Sequence, residues 1–162
     1  MKRISFLGAG SWGTALAILC ANNGHRVVLW SATNKFRKKR EHVDCLPGTR
    51  LPDSVKIADD VKEACKDKDI IVVSVASPYM RSTARLMKPF VKHGQIVVNV
   101  AKGIEDKTLM TMCEILEDEL PQADVAILSG PSHAEEISKG IPTTVVVGGR
   151  TEKTAVFIQD VF

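Results

Sequence analysis

The sequence predicts an α/β fold, a doubly wound, mostly parallel sheet with helices on both faces. Three observations carry that reading. Strand-like apolar runs alternate with helix-like segments almost to the end of the chain, the pattern of β-α-β units rather than of hairpins. A glycine-punctuated turn, Gly8-Ala9-Gly10-Ser11-Trp12-Gly13, follows the first apolar run directly. The chain has 162 residues, 44% hydrophobic and 25% charged, enough for one domain with a substantial core.

The elements follow in order. Residues 4–7 make a short apolar strand. Residues 11–23, rich in Ala and Leu, make a helix that Gly24 stops, because glycine accepts the left-handed conformation of a helix end. Residues 27–30 are a second buried strand. The pattern weakens between 35 and 60, where Pro47, Gly48 and Pro52 mark a loop before a short strand at 55–57. A helix at 60–66 leads into Ile70-Ile71-Val72-Val73-Ser74-Val75, the strongest strand signal in the chain. Pro78 opens the next helix. A strand at 95–100, a helix over roughly 108–119 and a strand at 125–128 continue the alternation. A short helix at 132–139, a strand at 143–147 and a helix from 152 complete it. That last helix is expected to be still running at Phe162, which makes the chain a fragment by this reading. Right-handed crossovers put helices on both faces. Ligands in such sheets bind beyond the carboxyl ends of the strands, so segments 8–13, 76–78, 101–105 and 129–134 should line the working edge.

Composition narrows the function. A net charge of +3 suits a protein that handles small anions and argues against nucleic acid as a partner. Cys20, Cys45, Cys65 and Cys113 are scattered without a Cys-x-x-Cys pair, so neither a metal site nor a disulfide framework is expected, and a reducing, cytoplasmic setting is. Residues 4–21 carry no charge behind Met1-Lys2-Arg3, which superficially resembles a leader or a membrane span. Three glycines, Ser11 and Thr14 interrupt it. A strand, a turn and a helix account for it better, and no membrane span is expected.

Three constellations carry the chemistry. In Gly8-x-Gly10-x-x-Gly13 the first glycine makes a tight turn and the second lets backbone approach a pyrophosphate. The third lets the helix pack on the strand. Amides at the helix start then face the phosphates, where the dipole also favours negative charge. The position between strand and helix marks residues 1–162 as a Rossmann-type dinucleotide-binding domain, with NAD(H) or NADP(H) as cofactor. Without a ligand the same residues are only a glycine-rich bend. An acid after the second strand would bind the ribose 2′-hydroxyl of NAD. Here Ser31-Ala32-Thr33-Asn34-Lys35 holds none, leaving Ser31, Thr33 or Lys35 to meet a 2′-phosphate. The basic run Lys35 to Arg40 reads equally as a solvated helix face. Second, Ala101-Lys102-Gly103-Ile104-Glu105 places an ammonium, a suitable phosphate binder, just past a strand. Third, Ser129-Gly130-Pro131-Ser132-His133-Ala134-Glu135-Glu136 reads as another anion-facing turn with Ser132 as helix cap. His133 is a candidate general acid, although a lone histidine more often packs or caps.

Together these blocks resemble the bacterial-type NAD(P)-dependent glycerol-3-phosphate dehydrogenases. The likeness runs through Gly8 to Ala17, Lys102 to Glu105 and Ser129 to Glu136, with Asn23-Gly24-His25-x-Val27-x-Leu29-Trp30 and Pro78 in support. The resemblance implies that Ser11 and Trp12 contact the dinucleotide, beside Gly8, Gly10 and Gly13 of the turn and Thr33 past the second strand. It implies that Lys102 touches both cofactor and substrate, that Gly130 and Ser132 hold the substrate, and that Ala134 lies against the cofactor. Family members often carry an arginine near positions 32 or 33 for the 2′-phosphate, and this chain has Ala32 and Thr33 there. The family's proton-transferring lysine sits in a following helical domain that these residues do not include. The resemblance therefore implies a parent enzyme, a homodimer in one reading, that interconverts dihydroxyacetone phosphate and sn-glycerol 3-phosphate for glycerophospholipid synthesis. It implies a 162-residue chain that binds cofactor without turnover. A β-hydroxyacid dehydrogenase and a non-catalytic nucleotide-sensing module are the rival readings.

Overall fold

The computed structural model describes residues 1–33, 40–41 and 46–162. Most of the basic run, Lys35 to Lys39, and Cys45 lie outside the described residues. Seven strands form one sheet: β1 (Arg3–Leu7), β2 (Arg26–Trp30), β3 (Lys56–Ile57), β4 (Ile70–Val73), β5 (Ile96–Asn99), β6 (Asp124–Ser129) and β7 (Val146–Gly149). Their order is β3-β2-β1-β4-β5-β6-β7. The first six are parallel, and β7 pairs antiparallel with β6. The helices are α1 (Ser11–Asn22), α2 (Val61–Cys65), α3 (Met80–Met87), α4 (Met112–Glu119), α5 (Ala134–Ser138) and α6 (Glu152–Gln159). This is the Rossmann arrangement, and strand order reverses between β1 and β4.

The inner strands are buried on both faces, which is why they read as continuous apolar runs. Side chains alternate between the two cores. Ile4, Phe6, Ile70 and Val72 pack with Leu16, Cys20 and Ile158 of α1 and α6. Leu7, Ile71 and Val73 pack with Ala64, Met80, Ala84, Ile115 and Leu116 of α2, α3 and α4. All four residues of β4 are fully buried, each side chain contributing about 1.5–3 kcal/mol.

Element ends show where side chains overrule the apolar pattern. Gly24 (φ +81°) stops α1 as expected, and its N–H donates to Ala21. Beside it His25 accepts the Lys2 N–H at Nδ1 and reaches the Val161 carbonyl through Nε2. β4 ends at Val73 because Ser74 turns away to serve the glycine turn. The expected helix at 108–119 begins only at Met112, where Thr111 and Glu114 form a reciprocal capping box. Pro78 sits in a 3₁₀ turn, Ser77–Tyr79, that precedes α3. The last strand starts three residues later than expected and ends two later, at Val146–Gly149. The register Ser129↔Val146 and Ala126↔Gly149 places two glycines in the ladder, and a Cβ on Gly148 would come within 2.9 Å of Ile127. α6 ends at Gln159 instead of running on through Phe162. Arg40, the described member of the basic run, is structural: its guanidinium donates to the carbonyls of Leu51, Pro52 and Val55. No described helix is long and apolar enough to cross a membrane.

Candidate functional site

The three glycines of the first turn do different work. Gly8 has φ +117°, and a Cβ there would sit 2.6 Å from the Ser74 and Val75 backbone. A Cβ on Gly13 would come 2.3 Å from both the Gly8 carbonyl oxygen and Ser74 Oγ. These two answer to the protein itself. Ser74 Oγ completes the joint by donating to the carbonyls of Gly8 (2.7 Å) and Leu7 (3.2 Å), tying β1 to β4 at the switch point. Gly10 is different. Its conformation is ordinary (φ −73°) and nothing lies within 4 Å of where its Cβ would be. No described side chain caps α1 there, and its first turn holds no acid. The opening amides of α1 and its positive dipole end therefore face open space.

That space is a groove in two parts. One cavity, of about 460 Å³, runs over the ends of β1 and β2 and is lined by Gly8, Trp30, Ser31, Thr33, Tyr79 and Leu86 among others. The other, of about 410 Å³, is lined by Ser11, Trp12, Lys102, Ser132, His133 and Ala134 among others. Gly10, Ser74, Val75 and Ala76 border both. The residues singled out in sequence are thus brought to one edge. Gly13 lies behind the turn, and Gly130 contributes its carbonyl, which accepts from Lys102 Nζ at 3.3 Å.

Ser132 corrects one expectation. It does not cap α5; His133 is the N-cap residue, with no side-chain capping bond among the described residues, and Ser132 Oγ donates back to the Gly130 carbonyl at 3.3 Å. The glycine beneath them has φ +154°, and a Cβ would lie 3.0 Å from the Thr144 carbonyl. At the outer end of the first cavity Ser31 and Thr33 bond each other, Oγ to Oγ1 at 3.1 Å. That cavity has no carboxylate among its described lining residues, and Lys35 lies outside them.

Several residues of the site escaped the sequence reading. Buried Asn99, the last residue of β5, accepts the Ala101 N–H at Oδ1 (2.9 Å) and donates to the Ala101 carbonyl through Nδ2. This clip turns the chain just before Lys102. Gly103 follows with φ +136°, pressed against Ser77, which would meet a Cβ at 2.9 Å. Arg81 of α3 then grips Glu105 with two 2.8 Å bonds and also reaches Asp118 and Glu119 of α4. The Arg81 guanidinium, helped by the Thr108 hydroxyl, holds the Glu105 carboxyl down at about 2. Ser74 lies at the end of the strongest strand, Ser77 in segment 76–78, and Gly103 and Glu105 in the lysine block, but the bonds that join them carried no signal in the sequence.

Comparison with known proteins places this geometry. The family described as NAD-dependent glycerol-3-phosphate dehydrogenase N-terminus matches residues 3–155. The chain belongs to that family. A glycerol-3-phosphate dehydrogenase [NAD(P)+] of Agathobacter rectalis is 54% identical across the whole chain, which covers 49% of that protein. The enzyme of the same name from Fusobacterium nucleatum is 45% identical, with 50% of it covered. The crystal structure of glycerol-3-phosphate dehydrogenase from Coxiella burnetii superposes with a TM-score of 0.90 at 28% identity, covering 99% of this chain and 50% of that one. The chain spans about half the length of the curated relatives it matches.

Proposed function

We propose that residues 1–162 bind a nicotinamide dinucleotide across the β1/β4 switch point and form the cofactor half of a glycerol-3-phosphate dehydrogenase. The observation that supports this best is Gly10: a glycine free of internal constraint, opening an uncapped helix onto a groove. The pyrophosphate would lie over Gly10, Ser11 and Trp12, where amides replace its hydration. The adenosine would occupy the cavity by Trp30, Ser31 and Thr33, against the exposed faces of Tyr79 and Leu86. The nicotinamide would lie by Ala134 and Lys102, and when bound it supplies or takes up the hydride.

In the full-length enzyme the substrate would be dihydroxyacetone phosphate or sn-glycerol 3-phosphate. Lys102 would stabilise negative charge on the substrate oxygen, and the Gly130-Ser132 turn would hold the substrate. The proton would come from a lysine outside these residues. A cytoplasmic location and a homodimeric parent complete the proposal. Nicotinamide fluorescence titration of the chain tests the first step; absence of NADH binding refutes it. A substrate screen of the full-length enzyme tests the second, and preference for a β-hydroxy acid over dihydroxyacetone phosphate refutes it.

A further inference from the structure

We propose that Arg81, on α3 and outside the cofactor groove, is a positioning residue for Lys102, acting through Glu105 to hold the loop that aims the ammonium at Gly130. The inference rests on the reading of Lys102 given above. Lys102 stands between two fixed points of the chain. Upstream, the Asn99 side chain clips Ala101 through both its N–H and its carbonyl. Downstream, Glu105 is fixed three residues beyond the lysine by the parallel bonds to Arg81 Nε and Nη2. Glu105 is also the hub of its own turn: its N–H donates to Met110, its carbonyl accepts from Leu109, and its carboxylate accepts from Thr108. Moving Glu105 therefore moves the whole segment.

Arg81 is well suited to hold that hub still. Its side chain is only 18% exposed, and its remaining donor arm is fixed by Asp118 and Glu119 on α4. Arg85 braces Glu119 from the next turn of α3. A planar guanidinium in a bidentate pair sets direction as well as distance, which an ammonium cannot do. A lysine side chain is long and rich in rotamers, so its aim depends on a backbone that does not drift.

The experiment is a double-mutant cycle on the 162-residue chain, with NADH as one probe and AMP, which lacks the nicotinamide half, as the other. Arg81→Ala is expected to weaken NADH binding roughly tenfold, in the range of coupled networks, while AMP affinity stays within about twofold. Arg81→Lys should not restore NADH binding. In the Lys102→Ala background, Arg81→Ala should add no further loss. A loss of the same size with and without Lys102, or parallel loss of AMP binding, overturns the proposal and leaves Arg81 a residue of general stability. If Arg81→Ala does not fold, Arg81→Lys is read in both backgrounds against the same criteria. Unchanged NADH affinity in Lys102→Ala alone instead overturns the reading of Lys102, and this proposal with it.

Discussion

At the scale of single residues, Gly10 and Glu105 make the sharpest tests. A valine at Gly10 meets no protein atom within 4 Å at its Cβ, so the fold should tolerate it. Its side chain would project where backbone must approach the pyrophosphate. Gly10→Val is therefore expected to lose at least ~100-fold in NADH affinity, about 2.7 kcal/mol, with an unchanged melting temperature. Fluorescence titration and a thermal melt on one preparation check both halves. Glu105 tests pH dependence. Its carboxyl is held at about 2 in the folded chain against an ordinary 4.5, so the unfolded chain binds the proton more readily. The stabilisation from its pairing is complete above pH 4.5 and is lost as pH falls toward 2. Glu105→Gln should flatten that part of the acid limb in urea midpoints measured between pH 5 and 2; an unaltered limb would show that the Arg81 pair does not govern it.

Among the elements, α4 illustrates how much a cap decides. Thr111 and Glu114 satisfy each other's amides, and Thr111→Ala should cost about 0.5–2 kcal/mol. For a domain of this size that corresponds to a fall of ~2–4 °C per kcal/mol in Tm, which calorimetry would register. The same cap explains why the helix expected from residue 108 starts at Met112: periodicity locates a helix, but a hydroxyl and a carboxylate three residues apart choose its first turn. The core strands were legible because burial on both faces writes an uninterrupted apolar run, as in Ile70–Val73. β7 was displaced because its strand includes Gly148 and Gly149, which carry no apolar signal, and a Cβ on Gly148 would press within 2.9 Å of Ile127 on the antiparallel partner. The glycine turn and the Lys102 and Gly130 loops were legible as local patterns. Asn99, Arg81 and Ser77 were not, since each matters through partners brought near only by the fold. The Arg81–Glu105 contact spans 24 residues, and no short-range pattern announces it.

For the whole molecule, two expectations follow from how charge is distributed around the groove. The cavity by Ser31 and Thr33 presents hydroxyls and no carboxylate among its described lining residues, so none of those repels a 2′-phosphate. NADPH should bind within roughly tenfold of NADH, a gap of about 1.4 kcal/mol. Dissociation constants compared at one ionic strength decide it, and discrimination of several hundredfold would point to another residue reading the ribose. The chain alone should bind NADH yet not oxidise it with dihydroxyacetone phosphate, because a positioned acid typically contributes ~10²–10⁴ in rate. An absorbance assay showing turnover on the order of 10 s⁻¹ would place the acid within residues 1–162, with His133 first to mutate. The joint between Gly8 and Ser74 also bears on how the molecule comes into being. Its two halves lie 66 residues apart in the chain. At ~5–20 residues per second of synthesis, about 3–13 s separate their emergence. Contacts of such long sequence separation form slowly, so the nascent β1 must wait beside β2 with its other edge unpaired. The phosphate cradle therefore cannot close before residue 74 has emerged.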